Sequence, residues 1–432
     1  MAKANTLRNV VLVDGCRIPF QRSGTGYTDL MAYDLARMAL RGLLDRSSLS
    51  PSMIDQVIMG TVIQEVKTSN LARDAALAAG IPETTPANTV TQACISSNQA
   101  ITNGIERIIS GQADIIVAGG AETMSDVPIR LKRKLRKKLI ASQKYKSAPE
   151  YFKLLKGLRP NDILPEVPQV SEFSTGETMG ESCDKMAAKF GITRREQDAY
   201  AMRSHQRATM ATRDQLLDNE LIPASIPPDF DVIRFDNTYR DDTTMDKLEK
   251  LKPSFVKEYG TVTAGNSSAL TDGASAVLIM SEEKAKELEL EPLARFKQYN
   301  YVAQSPKDEL LLGPAYAIPR VLDRSRVNIS DVDVFELHEA FAGQILSVLY
   351  ALSSETFAKK NLNKRKKVGE IPLEKLNTLG GSLSLGHPFG ATGARLVTTA
   401  ANRLNREDGN LAMVSACAAG GLGHAMLLQR YK

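Results

Sequence analysis

Leu43-Leu44-Asp45-Arg46-Ser47, followed by Ile54-Asp55-Gln56-Val57, returns as Val321-Leu322-Asp323-Arg324-Ser325, followed by Val332-Asp333-Val334-Phe335, at a constant offset of 278 residues. Each copy reads as a helix, a short Ser/Asn-containing loop, a turn and a buried strand, over 57–62 in the first and 332–337 in the second. Further on, Gly111-Gln112-Ala113-Asp114-Ile115-Ile116-Val117-Ala118 parallels Gly409-Asn410-Leu411-Ala412-Met413-Val414-Ser415-Ala416 at an offset near 298. The growth of the offset by about twenty matches an extra polar, basic stretch around 359–370, which reads as an inserted loop. Two matches in the same order, carrying the same expected elements, point to an internal duplication. Strands alternate with helices in each copy, which predicts two similar α/β halves, each a mixed sheet flanked by helices.

Between the copies the composition changes. Residues 123–252 carry charged helices and Pro-rich loops such as Pro165-Glu166-Val167-Pro168 and Pro227-Pro228. This predicts an insertion that leaves the first copy and returns to it near Gly260-Thr261-Val262-Thr263. The expected division is residues 1–122 with 253–281, then 123–252, then 282–432. Within the insertion, Thr193-Arg194-Arg195-Glu196 is a capping box that opens a helix running through Ala211.

A chain of 432 residues, 43% hydrophobic and 24% charged, excludes a single small binding module as well as disordered, collagen-like or coiled-coil character. The net charge of +5 conceals a strong asymmetry: residues 129–159 carry twelve Lys and Arg against the single Glu150, a local +11, and leave about −6 for the remainder. Leu131, Leu135 and Leu139 recur at i+4 in this stretch, which predicts an amphipathic surface helix. It suits an anionic membrane surface, the phosphates of a cofactor, or simply a solvated charged face. Nucleic acid is a third class of partner for it, but no recognised binding motif and no Trp support that reading, and none is expected to bind.

Four scattered cysteines, Cys16, Cys94, Cys183 and Cys417, are too few for a disulfide framework, and no CxxC or close Cys/His pair suggests a metal site. The first eight residues lack a hydrophobic signal core and are short for a transit peptide, and nothing approaches 18 uninterrupted apolar residues. The expectation is a soluble or peripheral protein, cytoplasmic if bacterial, or mitochondrial and already processed if eukaryotic.

Cys94 stands in Thr91-Gln92-Ala93-Cys94-Ile95-Ser96-Ser97, between an apolar stretch ending at Val90 and a helix running toward Ile109. A cysteine at a helix N-terminus is favoured as thiolate by the dipole and the free N–H groups, although such a residue taken alone also suits core packing. His387 lies in Gly386-His387-Pro388-Phe389-Gly390-Ala391-Thr392-Gly393, just before another helix, and the 298 offset sets Cys94 beside residue 392. Two equivalent helix starts would thus face each other, one bearing a nucleophile and the other its base. The Gly-rich run matches neither the P-loop nor the dinucleotide fingerprint. Cys417, in Ser415-Ala416-Cys417-Ala418-Ala419-Gly420-Gly421, follows a strand and is flanked by small residues whose N–H groups suit an oxyanion site, with packing as the alternative. His338, in His338-Glu339-Ala340-Phe341-Ala342, occupies the position that Gly60 holds in the first copy. A structural histidine there is as ready a reading as a functional one.

These four motifs, in this order and spanning almost the whole chain, resemble those of the thiolase family. The resemblance implies two similar α/β/α/β/α domains with a loop domain inserted in the first. It further implies an acyl-transfer enzyme cleaving 3-ketoacyl-CoA in fatty-acid oxidation, with Cys94 as acyl carrier, His387 as its base, Cys417 as a second acid/base and His338 as anchor of an oxyanion-stabilising water. The N–H of Ala419 would complete a second oxyanion site, and Ser268, Met179 and Phe341 would line the pantetheine path of coenzyme A. Most of the family has Asn where His338 stands, and a Gly-rich turn where this chain has Ala418-Ala419. With Thr61 to Asn70, Ser171-Glu172-Phe173-Ser174-Thr175 and the basic segment, these departures resemble the beta-subunit subgroup of trifunctional fatty-acid oxidation complexes or its bacterial counterpart. That implies a homodimer core paired with a hydratase/dehydrogenase subunit, coenzyme A as co-substrate, no permanently bound cofactor, and membrane contact through 129–159. An acetoacetyl-CoA thiolase, a condensing enzyme of the same fold and a non-catalytic lipid-binding relative are the alternatives. The last would be expected to lack Cys94 or His387, and a condensing enzyme to lack a cysteine such as Cys417.

Overall fold

The computed structural model describes residues 8–166 and 171–432. The N-terminal expectation about targeting therefore lies largely outside the described residues, as do Val167 and Pro168 of the Pro-rich loop. Nine strands form one continuous path: β1 (Val10–Arg17), β2 (Gln56–Gly60), β3 (Ala87–Val90), β4 (Ile115–Glu122), β5 (Thr271–Ser281), β6 (Ala294–Ala303), β7 (Val334–Leu337), β8 (Leu411–Ala418) and β9 (Leu422–Arg430). Their spatial order is β7-β8-β9-β6-β1-β5-β4-β2-β3. The two halves mirror each other about the β1:β6 junction. Parallel β2:β4 answers parallel β7:β8, and antiparallel β4:β5 answers antiparallel β8:β9. The partner that β3 gives β2 is reduced in the second half to a single parallel bridge between Phe335 and Leu376.

Strand alternation builds the layers. Val10, Leu12, Ile116, Ala118, Ala412 and Val414 face one apolar cluster, whereas Val11, Val13, Ile115, Val117 and, in the second half, Leu411 and Met413 face two others. The shared inner cluster contains α2 (Ser96–Ile109) and α8 (Thr392–Arg406), which pack on each other between the two half-sheets. Outside lie α1 (Ala32–Ser47) on the first half and α6 (Gly313–Ser325) with α7 (Ala342–Ser353) on the second. The result is a five-layered α/β/α/β/α arrangement built jointly by the two α/β halves that the duplication predicts.

The superposable elements refine the repeat. α1 and α6 end at Ser47 and Ser325, at the expected offset of 278, but α2 and α8 begin at 96 and 392, an offset of 296. Cys94 is thus the counterpart of Gly390, and His387 that of Thr91. The two-residue slip arises because a shift of two preserves which face of a strand is apolar, so the pattern alone does not resist it.

The segment between β4 and β5 holds α3 (Arg133–Ser142), α4 (Met179–Lys189) and α5 (Arg194–Arg213). The capping box at Thr193 and Glu196 is present, and its helix runs two residues beyond Ala211. Leu131 is not helical: Arg130–Leu131 pairs with Pro165–Glu166 as a two-residue ribbon, and only Leu135 and Leu139 lie on α3. The stretch 359–370 is not wholly a loop, since Glu355–Asn361 is helical. The strands expected over 57–62 and 332–337 prove shorter, ending at Gly60 and starting at Val334.

Candidate active site

The carboxyl ends of the parallel strands and the amino ends of the two inner helices meet at one place, the usual location for a site in an α/β protein. β2 can deliver its end there because Gly60 has no side chain; a Cβ would lie 2.5 Å from the Ser96 carbonyl carbon, inside the first turn of α2. Gly60's counterpart, at the end of β7, is His338.

A cavity of about 290 Å³ opens at this point, lined by Val62, Ala93, Cys94, Met179, Gly180, Phe255, Ser267, Ser268, Leu270, Leu311, Ala340, Phe341, His387, Phe389, Cys417 and Ala419. Larger surface hollows of about 660 and 390 Å³ hold neither Cys nor His. Seven of the eight residues singled out in the sequence, Cys94, His387, Cys417, Ala419, Ser268, Met179 and Phe341, lie on this one wall. His338 does not. It is fully buried with its ring centroid 4.0 Å from that of His387.

Local structure explains the placement. Ala93 has φ 47°, a left-handed turn that sets Cys94 two residues before Ser96, with Ile95 as N-cap. His387 is held by its own N–H on Thr271 Oγ1 at 2.6 Å. Ser268 donates its N–H to Ala340 at 3.0 Å, which docks the return segment from the insertion against the loop after β7. Glu339 in that loop accepts from Tyr200 Oη at 2.9 Å and Ser204 Oγ at 2.8 Å, both on α5. Phe255 and Phe341 stand edge to face at 5.9 Å and keep the wall apolar.

The charge states differ from the expectation of a dipole-stabilised thiolate. Burial pushes the Cys94 thiol up to about 12, offset in part by the Ala419 and Cys94 N–H groups that face the sulfur. The dipole effect fades within the first turn, and the sulfur precedes it. Burial, with Arg395 adding repulsion, brings His387 down to about 3, and burial drives His338 well below its ordinary value. Cys417 is raised well above a free thiol, first by burial and then by Cys94. The resting site is a set of neutral thiols and imidazoles.

The hydrogen bonds of His387 fix which nitrogen acts. Thr392 Oγ1 stands between the Pro388 carbonyl at 2.9 Å and His387 Nδ1 at 2.7 Å; when its single proton goes to the carbonyl, it can only accept from Nδ1. In that arrangement Nδ1 carries the proton, and Nε2, buried with no partner among the described residues, keeps its lone pair. This is the tautomer a general base requires. No group of three or more His, Cys, Asp or Glu among the described residues is arranged for a metal ion.

Two carboxylates to which the sequence assigned no role in the site hold it from behind. Glu122, at the end of β4, accepts from the Val62, Ile63 and Gly390 N–H groups at 3.0, 2.9 and 3.0 Å, tying the β2 exit to the His387 loop. Glu172 accepts from the Gly420 N–H at 2.7 Å, beside Ala419. Their part in the site is not written locally, because the N–H groups of Val62, Ile63 and Gly390 for Glu122, and of Gly420 for Glu172, lie far along the chain.

A five-layered α/β/α/β/α fold with a half-buried Cys94, a buried Cys417 and the ring of His387 around one apolar cavity suits an enzyme of the acyl-transfer class. Comparison with known proteins narrows this. Family models described as "Thiolase, N-terminal domain" and "Thiolase, C-terminal domain" match residues 10–283 and 290–430, so the chain belongs to the thiolase family. The mitochondrial trifunctional enzyme subunit beta of Homo sapiens is 55% identical over 431 residues, covering 100% of this chain and 90% of that protein. A 3-ketoacyl-CoA thiolase of Yersinia enterocolitica is 42% identical over 420 residues, covering 97% and 96%. The crystal structure of human mitochondrial 3-ketoacyl-CoA thiolase in complex with CoA superposes with a TM-score of 0.83 at 32% identity, covering 99% of each chain.

Proposed function

We infer that the chain is a 3-ketoacyl-CoA thiolase of fatty-acid beta-oxidation, and that its side chains divide the chemistry as follows. His387 Nε2 takes the Cys94 proton as the sulfur attacks the 3-keto carbon. The resulting alkoxide is held by the imidazolium of His387 together with a water anchored on His338. The bond between C2 and C3 then breaks, its electron pair forming the enolate of acetyl-CoA, which the Cys417 thiol protonates at carbon. The Cys417 thiolate next deprotonates an incoming CoA thiol, which attacks the acyl-Cys94 thioester. The second oxyanion rests on the Cys94 and Ala419 N–H groups, and collapse releases an acyl-CoA shortened by two carbons. Cys94 regains its proton from His387. One preorganised donor at such an oxyanion contributes about 3 kcal/mol to lowering the barrier. Ser268, Met179 and Phe341 line the path of the pantetheine arm, and coenzyme A serves as co-substrate with no permanently bound cofactor.

The observation that carries this reading is the convergence of two thiols, one unprotonated imidazole nitrogen and the Ala419 N–H on a single cavity. It is tested by a thiolysis assay with 3-ketoacyl-CoA of graded chain length, run beside Cys94→Ala. The variant is expected to lose turnover. Retained turnover overturns the mechanism, whereas preference for only the shortest substrate overturns the subgroup and favours an acetoacetyl-CoA thiolase.

The assembly belongs to the same proposal. A homodimer core would cover the open edge of β3, beside the hollow lined by Asn88, Asn103 and Glu106. The relative named as a trifunctional enzyme subunit beta favours a partner subunit carrying hydratase and dehydrogenase activities. Residues 129–159, with Ile129, Ile140, Phe152 and Leu155 exposed among Lys and Arg, are suited to an anionic membrane surface. No described helix is long and apolar enough to cross a membrane. The location proposed is mitochondrial in a eukaryote and cytoplasmic in a bacterium. The division into residues 1–122 with 253–281, 123–252 and 282–432 is proposed as the domain organisation.

A further inference from the structure

Two imidazoles stand side by side in this site, and they need opposite tautomers. An unprotonated Nε2 on His387 accepts a proton, but an unprotonated Nε2 on His338 would turn a lone pair toward any oxyanion it serves. An asparagine in place of His338 would present a donor by its own NH2 group; an imidazole does so in only one of its two neutral forms.

The surroundings of His338 Nδ1 select that form. Ser382 Oγ lies 2.8 Å from it and accepts from Arg395 Nη2 at 3.1 Å. A guanidinium only donates, so the Ser382 proton is not used by Arg395. His338 Nδ1 is the acceptor left to it, for Ser382 Oγ has no other hydrogen-bond partner among the described residues. Arg395 is itself fixed, fully buried on α8 and paired with Glu336 of β7 at 3.4 Å. His338 Nε2 then carries the proton, and it is buried with no partner among the described residues. We propose that Ser382, oriented by Arg395, is a positioning residue that fixes His338 as the Nε2–H tautomer, making it a hydrogen-bond donor beside the acceptor His387.

The contribution of His338 to the oxyanion rests on the function proposed above, but its tautomer is measurable in the resting enzyme. The chain has only four histidines, so long-range 1H–15N correlation spectra of the full-length protein resolve each ring, with His338→Asn to assign the signal. The wild type is expected to show His338 protonated at Nε2 and His387 at Nδ1. Ser382→Ala is expected to move His338 toward the Nδ1–H form and to lower kcat on the order of tenfold to a hundredfold, with KM unchanged. Ser382→Thr, which keeps the hydroxyl, is expected to restore both. A wild-type His338 protonated at Nδ1 overturns the proposal even if no variant folds, as does a Ser382→Ala enzyme whose tautomer is unmoved. A shifted tautomer with unchanged kcat upholds Ser382's hold on His338 and overturns instead the oxyanion role of that ring.

Discussion

At the scale of single residues, the site is governed by desolvation. With Cys94 near 12 and His387 near 3, the mechanism proposed above separates charge only with substrate present, proton transfer accompanying attack. Alkylation of Cys94 by iodoacetamide should therefore be slow at pH 7 and rise about tenfold per pH unit into the alkaline range. A plateau from about pH 5 onward, as a preformed thiolate–imidazolium pair gives, would contradict this. Glu122 offers a second handle, since burial pushes its carboxyl up to about 7 against the donors that favour the carboxylate. As pH falls through that value the carboxylate takes a proton, weakening its hold on Gly390. We expect kcat to fall on this acid side and Glu122→Gln to flatten the limb at a lower level. A limb unchanged in the variant would assign it to another group. The sign for stability is opposite: the folded form holds the proton more tightly than the unfolded chain, so Glu122 lowers stability as pH rises from its ordinary 4.5 to about 7.

At the scale of elements, local chemistry was legible where it is self-contained. The Thr193–Glu196 capping box is written in four consecutive residues, with Thr193 Oγ1 accepting from the Glu196 N–H at 3.2 Å and Glu196 accepting in return from Thr193 at 2.7 Å. Thr193→Ala should destabilise the protein by about 1 kcal/mol in urea denaturation, and a change within error would show that neighbouring contacts hold the helix start. Periodicity was less reliable where the neighbour decides. Leu131, Leu135 and Leu139 keep helical spacing, yet Leu131 is drawn into a ribbon with Pro165. The helix starts bearing Cys94 and His387 were legible as a pair. Their alignment was not, because it depends on how α2 and α8 pack against each other.

On the scale of the whole molecule, charge is divided between a slightly acidic body and the basic segment of the insertion. Lys134 is already engaged with Asp162, and Arg136 with Glu166, whereas Arg133 and Lys137 are exposed and make no ion pair among the described residues, so they can meet a surface together with the exposed apolar side chains. Neutralising the Lys and Arg between 132 and 138 should weaken co-sedimentation with anionic vesicles and leave turnover of short substrates intact. Unchanged vesicle binding would remove membrane contact from the proposal. The insertion also touches the body of the protein beside the cavity, through Glu172 on the Gly420 N–H and through Tyr200 and Ser204 on Glu339.

The amino-acid sequence by itself determined the duplication into two α/β halves and marked Cys94, His387 and Cys417, because apolar alternation and short motifs are local signals that survive without coordinates; the five layers and the places of Ser268, Met179 and Phe341 on the cavity wall were implied by the family resemblance those motifs carry. Only the tertiary structure decided the protonation states of Cys94 and His387, the place of His338 behind its neighbour, and the parts taken by Glu122, Glu172, Ser382 and Arg395. Those properties arise from burial and from hydrogen bonds between groups far apart along the chain. They exist only once the two halves have closed on each other.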